Sequence, residues 1–233
     1  MTQMSLGGAE EPSAQASVVS VGYTRAGGVG HLVLRTAGGK LFVPPMRECH
    51  SVELTPVDNV VDIGAYCGTY TCWAASRAGW VKAYEPTPET YGVLVRNAQK
   101  YRNITTFQMA IVGTPRTEVT LYVSKGVGVT NSITPKRGAA FEVKVPAVAY
   151  VEAVREATVV KIDVEGAEYG YGHLAPWPTI RALIVDFHPI PGEREWTRRA
   201  EDIIGQLEQS GFEPVIQPDW GNGWTRAGSW VRR

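Results

Sequence analysis

The chain has 233 residues, 44 % of them hydrophobic, and carries 23 Lys plus Arg against 23 Asp plus Glu. That is enough apolar mass for one sizeable core, and zero net charge leaves no global electrostatic footprint for nucleic acid or an anionic membrane. Three cysteines without CxxC spacing (Cys49, Cys67, Cys72) argue against a disulfide framework and a zinc site; they fit a reducing cytoplasm, and no stretch approaches a membrane span.

Residues 1–16 are rich in Gly, Ser, Ala, Gln and Glu, lack an apolar signal core, and predict a disordered lead-in. From 17 to 55 the pattern predicts a β extension, because "HLVLRT" alternates, "AGG" turns and "KLFVPP" returns. Residues 56–233 follow as the main body. "NVVDI" predicts a short buried strand. Residues 69–78 predict a helix stopped at Gly79, and "WVKAYEP" a second strand. Thr87 stands as an N-cap before Pro88, with Leu94, Ala98 and Tyr101 on one helical face. "ITTFQMAIV", 104–112, predicts a third strand. Strand and helix alternating at this spacing argue for a parallel sheet covered on both sides.

"TEVTLYVS" and "FEVKVPAV" then alternate strongly around a Gly/Asn/Ser/Pro segment, 126–138, which predicts an inserted antiparallel hairpin with a long tip. Turn chemistry is enough to explain Asn131 and Ser132 at that tip. The α/β pattern resumes with strands over 158–164 and 182–189. Trp196, Ala200, Ile203, Ile204 and Leu207 form the face of an amphipathic helix, and "FEPVIQ" with "GSWVRR" closes as an antiparallel pair. The tail tryptophans Trp220, Trp224 and Trp230 are expected to pack, and the arginines Arg194, Arg198, Arg199, Arg232 and Arg233 to lie on solvated faces.

Open parallel sheets bind ligands beyond the carboxyl ends of their strands. "VVDIGAYCGTYT", 60–71, places Asp62 and the turn 64–68 at such an end. The glycines are Gly64 and Gly68; no G-x-G is present, so the turn suits a nucleoside without a pyrophosphate better than a dinucleotide. Glu85 ends the second strand about 20 residues on, where a carboxylate meets ribose hydroxyls. These features converge on S-adenosylmethionine, with the ribose on Glu85 and the amino-acid end near Asp62 and the glycine turn.

"VVDIGAYCGTYT", "AYEPTPETYGVLVRN", "FQMAIVG" and "KIDVEGAE" together resemble the successive signatures of the FkbM-type methyltransferases, in order, over about 59–189. The resemblance implies a class I methyltransferase (Rossmann-like) fold, with a doubly wound seven-stranded sheet, mostly parallel, and a reversed last strand. It implies S-adenosylmethionine held by Asp62, Gly64, Ala65, Tyr66, Gly68, Thr69, Tyr70 and Thr71. Ribose would lie on Glu85 beside Pro86, adenine near Met109 and Ala110. It also implies a hydroxyl oxygen of a small molecule, such as a polyketide or glycan, as acceptor. Tyr66 and Cys67 depart from the small or polar residues expected in the turn, and Cys67 is expected to be an unreactive turn residue.

Methyl transfer to an alcohol is an in-line displacement that gains from alignment and from a base for the departing proton. Asp163, Glu165 and Glu168 lie in "KIDVEGAE", and Asp186 and His188 in "IVDFHP". Asp186 and His188 are two apart and share one side of a strand, with Asp163 placed to face them. His188 has the ordinary pKa of a base near neutrality. Asp163 is also a candidate for the cofactor's methionine end, and Glu168 for a first-turn helix acid. Asp163, Glu165, Asp186 and His188 are a possible Mg²⁺ set, but strand-end acids are common without metal and a metal-free site is the favoured expectation. His31, His50 and His173 have no patterned partners.

Two other functions fit the same fold. One is methylation of a nucleic-acid base or protein side chain, against which stand zero net charge and the lack of an N/D-P-P-Y/F tetrapeptide. The other is a non-catalytic nucleoside-binding module, against which stands the full set of strand-end acids.

Overall fold

The computed structural model describes residues 18–26, 29–36, 39–43, 51–124, 131–135, 139–190, 192–193, 195–218 and 226–232, with side chains from 51 onward except that of Arg226. The lead-in 1–16, most of the hairpin tip, Cys49, Arg194, Arg233, Trp220 and Trp224 lie outside these residues, as do the side chains of His31 and His50.

The strands β1 (Val18–Ala26), β2 (Val29–Thr36) and β3 (Gly39–Val43) form an antiparallel sheet, so the expected N-terminal hairpin gains a third strand. The main sheet is built from β4 (Asn59–Ile63), β5 (Trp80–Tyr84), β6 (Ile104–Phe107), β10 (Val159–Ile162), β11 (Ala182–Phe187), β12 (Phe212–Ile216) and β13 (Arg226–Arg232). Its seven strands run in the order β12-β13-β11-β10-β4-β5-β6. Pairing is parallel from β6 to β11; β13 runs antiparallel between β11 and β12.

The central strands are apolar runs because both faces are covered. Val61, Ile63, Val160 and Ile162 pack on one face with α3 (Tyr150–Ala153) and α4 (Trp196–Gln209). Val60 and Val159 pack on the other with Tyr70, Ala74 and Ala75 of α1 (Thr69–Ala75). Helix α4 turns Trp196, Ala200, Ile203 and Leu207 inward; Ile204 is half-buried. Trp230 is fully buried edge-on to Phe187, with ring centroids 6.2 Å apart.

The expected third strand is two. Residues 104–107 join the main sheet, but after Gln108 and Met109 the chain leaves it, and β7 (Ala110–Val112) pairs with β9 (Phe141–Ala149). β9 also pairs antiparallel with β8 (Glu118–Val123), as the alternation required. The break escapes a sequence reading because both pieces are β-prone and no Gly or Pro divides them. Among the described residues no helix is long and apolar enough to cross a membrane.

The amino ends of β4, β10 and β11 are tied by Asp58. Its carboxylate accepts two bonds from Arg181, at 2.7 and 2.6 Å, and others from Thr55 N–H, Thr55 Oγ1 and Thr158 Oγ1. Burial opposes ionisation, yet these donors outweigh it and hold the carboxyl well below the usual carboxylate range. A depressed acid contributes stability above its unfolded pKa, here near 3.8, and loses it as pH falls through the folded value. Asp58→Asn should therefore lower unfolding free energy by about 2–3 kcal/mol at neutral pH. The gap to wild type should shrink as urea titrations move below about pH 3.8. A gap independent of pH would show that ionisation of Asp58 does not matter.

Candidate active site

The strand order reverses between β4 and β10, and their carboxyl ends open the crevice where such sheets bind ligands. From β4 the chain turns sharply into α1. Gly64 has φ +75° and Gly68 φ +86°. A Cβ on Gly64 would stand 1.8 Å from the Asp163 carbonyl oxygen, so only glycine lets the turn lie directly on the end of β10. Gly64 and Ala65 donate their N–H groups to the Tyr84 carbonyl at the end of β5. The turn is thus fixed to both neighbouring strands.

Lys161, unremarked in the sequence reading, sits at the centre. It pairs in register with Asp62 across β10 and β4. Its buried ammonium donates to the Gly64 carbonyl at 2.9 Å and lies 3.3 Å from Asp62 Oδ1 and 3.4 Å from Asp163 Oδ2. Asp62 is fully buried and accepts the Thr71 hydroxyl at 2.5 Å, tying α1 to β4. A lysine inside the apolar run "VVKID" was the available signal, since a central-strand charge must be paired.

Of the other turn residues, Gly64, Tyr66 and Thr69 are half-exposed. Ala65, Cys67, Gly68, Tyr70 and Thr71 are buried. Tyr70 packs in the core beneath α1 and Ala110 in the inserted sheet with Leu121, Val123 and Val145, so neither faces the crevice. Met109 is half-buried and Pro86 likewise. Burial pushes the Cys67 thiol up to about 12, which fits the unreactive role expected of it.

Glu85 is buried at the end of β5. Its Oε2 accepts Tyr66 N–H at 2.9 Å; its Oε1 accepts Thr87 N–H and the Thr90 hydroxyl, each at 2.9 Å. Burial raises its pKa above the ordinary 4.5, partly offset by these bonds. The Thr87 side chain is a further partner, so the protein engages most of the about four acceptor positions of this carboxylate.

The acids of β10 and β11 converge on His188, which is buried with 6 % of its side chain exposed. Its Nε2 lies 3.4 Å from Glu165 Oε1, 3.6 Å from Asp163 Oδ1 and 4.0 Å from Asp186 Oδ2. Its Nδ1 lies 3.6 Å from Glu168 Oε1. Burial pushes the imidazole pKa down, but Glu165, Glu168 and Asp163 outweigh it and hold the pKa well above 6.5. These surroundings favour the protonated form of the ring, while burial opposes it.

Glu168 is the first-turn acid of a short 3-10 helix, Glu168–Gly170, and is fully buried, accepting Gly166 N–H at 2.9 Å and His188 N–H at 2.7 Å.

The described end of the inserted hairpin reaches both sides of the crevice. Asn131 accepts Ser124 N–H and donates to Thr87 Oγ1 at 3.1 Å, beside Glu85. Ser132 donates to the Glu165 carbonyl at 2.7 Å. Turn chemistry alone does not account for bonds of this reach. Tyr66 (φ 51°) and Glu165 (φ 56°) are the non-glycine residues with left-handed backbones among the described residues. Both flank the crevice, where strain that the fold over-determines tends to collect.

No protein-family model matches the chain, and no curated protein matches it in sequence. Solved structures of similar fold include a methyltransferase FkbM from Methylobacillus flagellatus KT, 12 % identical with a TM-score of 0.50. The match covers 77 % of this chain and 44 % of that one. Another is a dimethyladenosine transferase from Plasmodium falciparum, 9 % identical with a TM-score of 0.50, covering 80 % of this chain and 60 % of that one. At such identities the likeness is one of fold. Together with the strand order and the reversed β13, it gives this chain the class I methyltransferase fold.

Removing the central cation should leave Asp62 buried without compensation. Lys161→Met is expected to cost about 3–5 kcal/mol in urea denaturation, and adding Asp62→Asn should restore part of that loss. Strictly additive losses would show that the two groups do not interact.

Proposed function

We propose that this chain is an S-adenosylmethionine-dependent methyltransferase acting on a hydroxyl oxygen of a small molecule, and that it is of the FkbM type that its motifs resemble. The observation that carries the reading is the convergence of Asp163, Glu165, Asp186 and His188 at two strand ends, directly against the glycine turn and across from Glu85.

The cofactor fits this crevice on three counts. The ribose meets Glu85 at the end of β5, with the half-buried Pro86 and Met109 toward the base. Gly64, Tyr66 and Thr69 offer the open atoms of the turn, while Asp62 acts behind it through Thr71 and Lys161. The group supplies a methyl on a positively charged sulfur, and the acidic rim gives that charge a favourable surrounding.

On the acceptor side, the hydroxyl donates its hydrogen bond to a partly exposed carboxylate, Asp186 or Glu165, which takes the proton as the oxygen attacks. His188 stands between those carboxylates and positions them. Much of the rate then comes from alignment.

The test is formation of the demethylated cofactor with labelled methyl groups and panels of hydroxylated small molecules, RNA, DNA and protein. Turnover is expected with a hydroxyl acceptor. Asp186→Asn should lower kcat by roughly 10²–10⁴-fold with unchanged cofactor affinity. Methyl incorporation into nucleic acid or protein alone would overturn the acceptor class.

A further inference from the structure

We propose that Asp163, Asp186 and His188 bind a divalent transition-metal ion, with Glu165 as a fourth ligand. As a binding site this stands on geometry; its role in the reaction rests on the methyl-transfer reading above.

The donor atoms of Asp163, Asp186 and His188 all lie within 4.8 Å of one another. Around an ion about 2.1 Å from each ligand, adjacent donors stand roughly 3 Å apart and opposite ones roughly 4.2 Å. The separations of 3.4, 3.6 and 4.0 Å from His188 Nε2 fall in that range. The donors come from both strand ends and point to one side of the imidazole. The carboxylates keep 25, 23 and 15 % of their side chains exposed at Asp163, Glu165 and Asp186, so a further ligand has room to reach an ion there.

The second observation lies behind the donors. A metal-bound histidine commonly presents its other ring nitrogen to a carboxylate, which sets the ring's orientation. His188 Nδ1, buried and without a hydrogen bond, lies 3.6 Å from Glu168, a fully buried acid itself held by two backbone N–H groups. Asp163 has Lys161 on its Oδ2 and its Oδ1 turned to His188. A solvated acidic patch has no use for a buried partner behind two of its donors. One nitrogen among carboxylate oxygens suits Mn²⁺, Fe²⁺ or Zn²⁺ better than Mg²⁺ or Ca²⁺.

In the reaction, an ion at this place polarises the acceptor hydroxyl. The proton passes to solvent, and an oxygen lone pair forms the new bond to the methyl carbon. The carbon–sulfur bond breaks toward sulfur, leaving a neutral thioether.

Mn²⁺ titration of the chelator-treated full chain, read by loss of the free-ion paramagnetic resonance signal, tests the site. About one ion per chain is expected, and Asp186→Asn or His188→Gln should weaken binding by at least ~10-fold with circular dichroism unchanged. Glu156→Gln, at an exposed acid outside the cluster, should bind as wild type. Stoichiometry far below one at about 1 mM Mn²⁺, or binding that survives Asp163→Asn with Asp186→Asn, would overturn the proposal. Titration with S-adenosylhomocysteine separates the two claims. Nucleoside binding without Mn²⁺ binding sinks the metal site alone. Mn²⁺ binding without nucleoside binding leaves the site standing and sinks the methyl-transfer reading.

Discussion

One ammonium group holds the crevice together. Lys161 meets Asp62, Asp163 and the Gly64 carbonyl, and so joins β4, β10 and the turn between β4 and α1. The lysine offers one cation to both carboxylates, at 3.3 Å from Asp62 and 3.4 Å from Asp163. Asp62 then holds α1 through Thr71, and Asp163 keeps an oxygen for the cluster around His188. Because Gly64 has no side chain, the turn rests directly on the backbone of Asp163. The glycine turn and the acid cluster around His188 are therefore one packed unit.

The inserted hairpin adds a second connection between those sides. Asn131 reaches the corner at Thr87, next to Glu85, and Ser132 reaches the carbonyl of Glu165. Tyr66 and Glu165 carry left-handed backbones at the places where these bonds and the Glu85 contact apply. The strained N–H of Tyr66 is aimed at Glu85, and the strained carbonyl of Glu165 at Ser132. That cost is carried by tertiary bonds from three separate segments, which makes the crevice pre-formed rather than assembled by a ligand.

The sheet was legible because its signals are local and strong. Apolar runs at even spacing, the Thr87–Pro88 helix start and the alternation of β8 and β9 each have a single good reading. The placement of Glu85 and the meeting of Asp163, Asp186 and His188 followed from strand ends alone. What escaped depends on partners far apart in sequence. Tyr70 and Ala110 sit in the right motifs but turn their side chains into cores, a matter of which face the turn presents. Glu168 opens a helix as expected, but one of 3-10 form, and its bond from His188 N–H comes from 20 residues away. The pKa of His188 is raised by Glu165, Glu168 and Asp163, carboxylates gathered only by folding.

The account turns on whether the crevice holds the adenosyl group at Glu85. Calorimetric titration with S-adenosylhomocysteine tests this most directly. The account predicts one site per chain, with affinity weakened at least ~10-fold by Glu85→Gln. It also predicts affinity that falls with acidification at a pH above the ordinary 4.5, because burial raises the Glu85 pKa and only the carboxylate accepts the hydroxyl at both oxygens. No heat from well-folded protein, or equal affinity in Glu85→Gln, would contradict it.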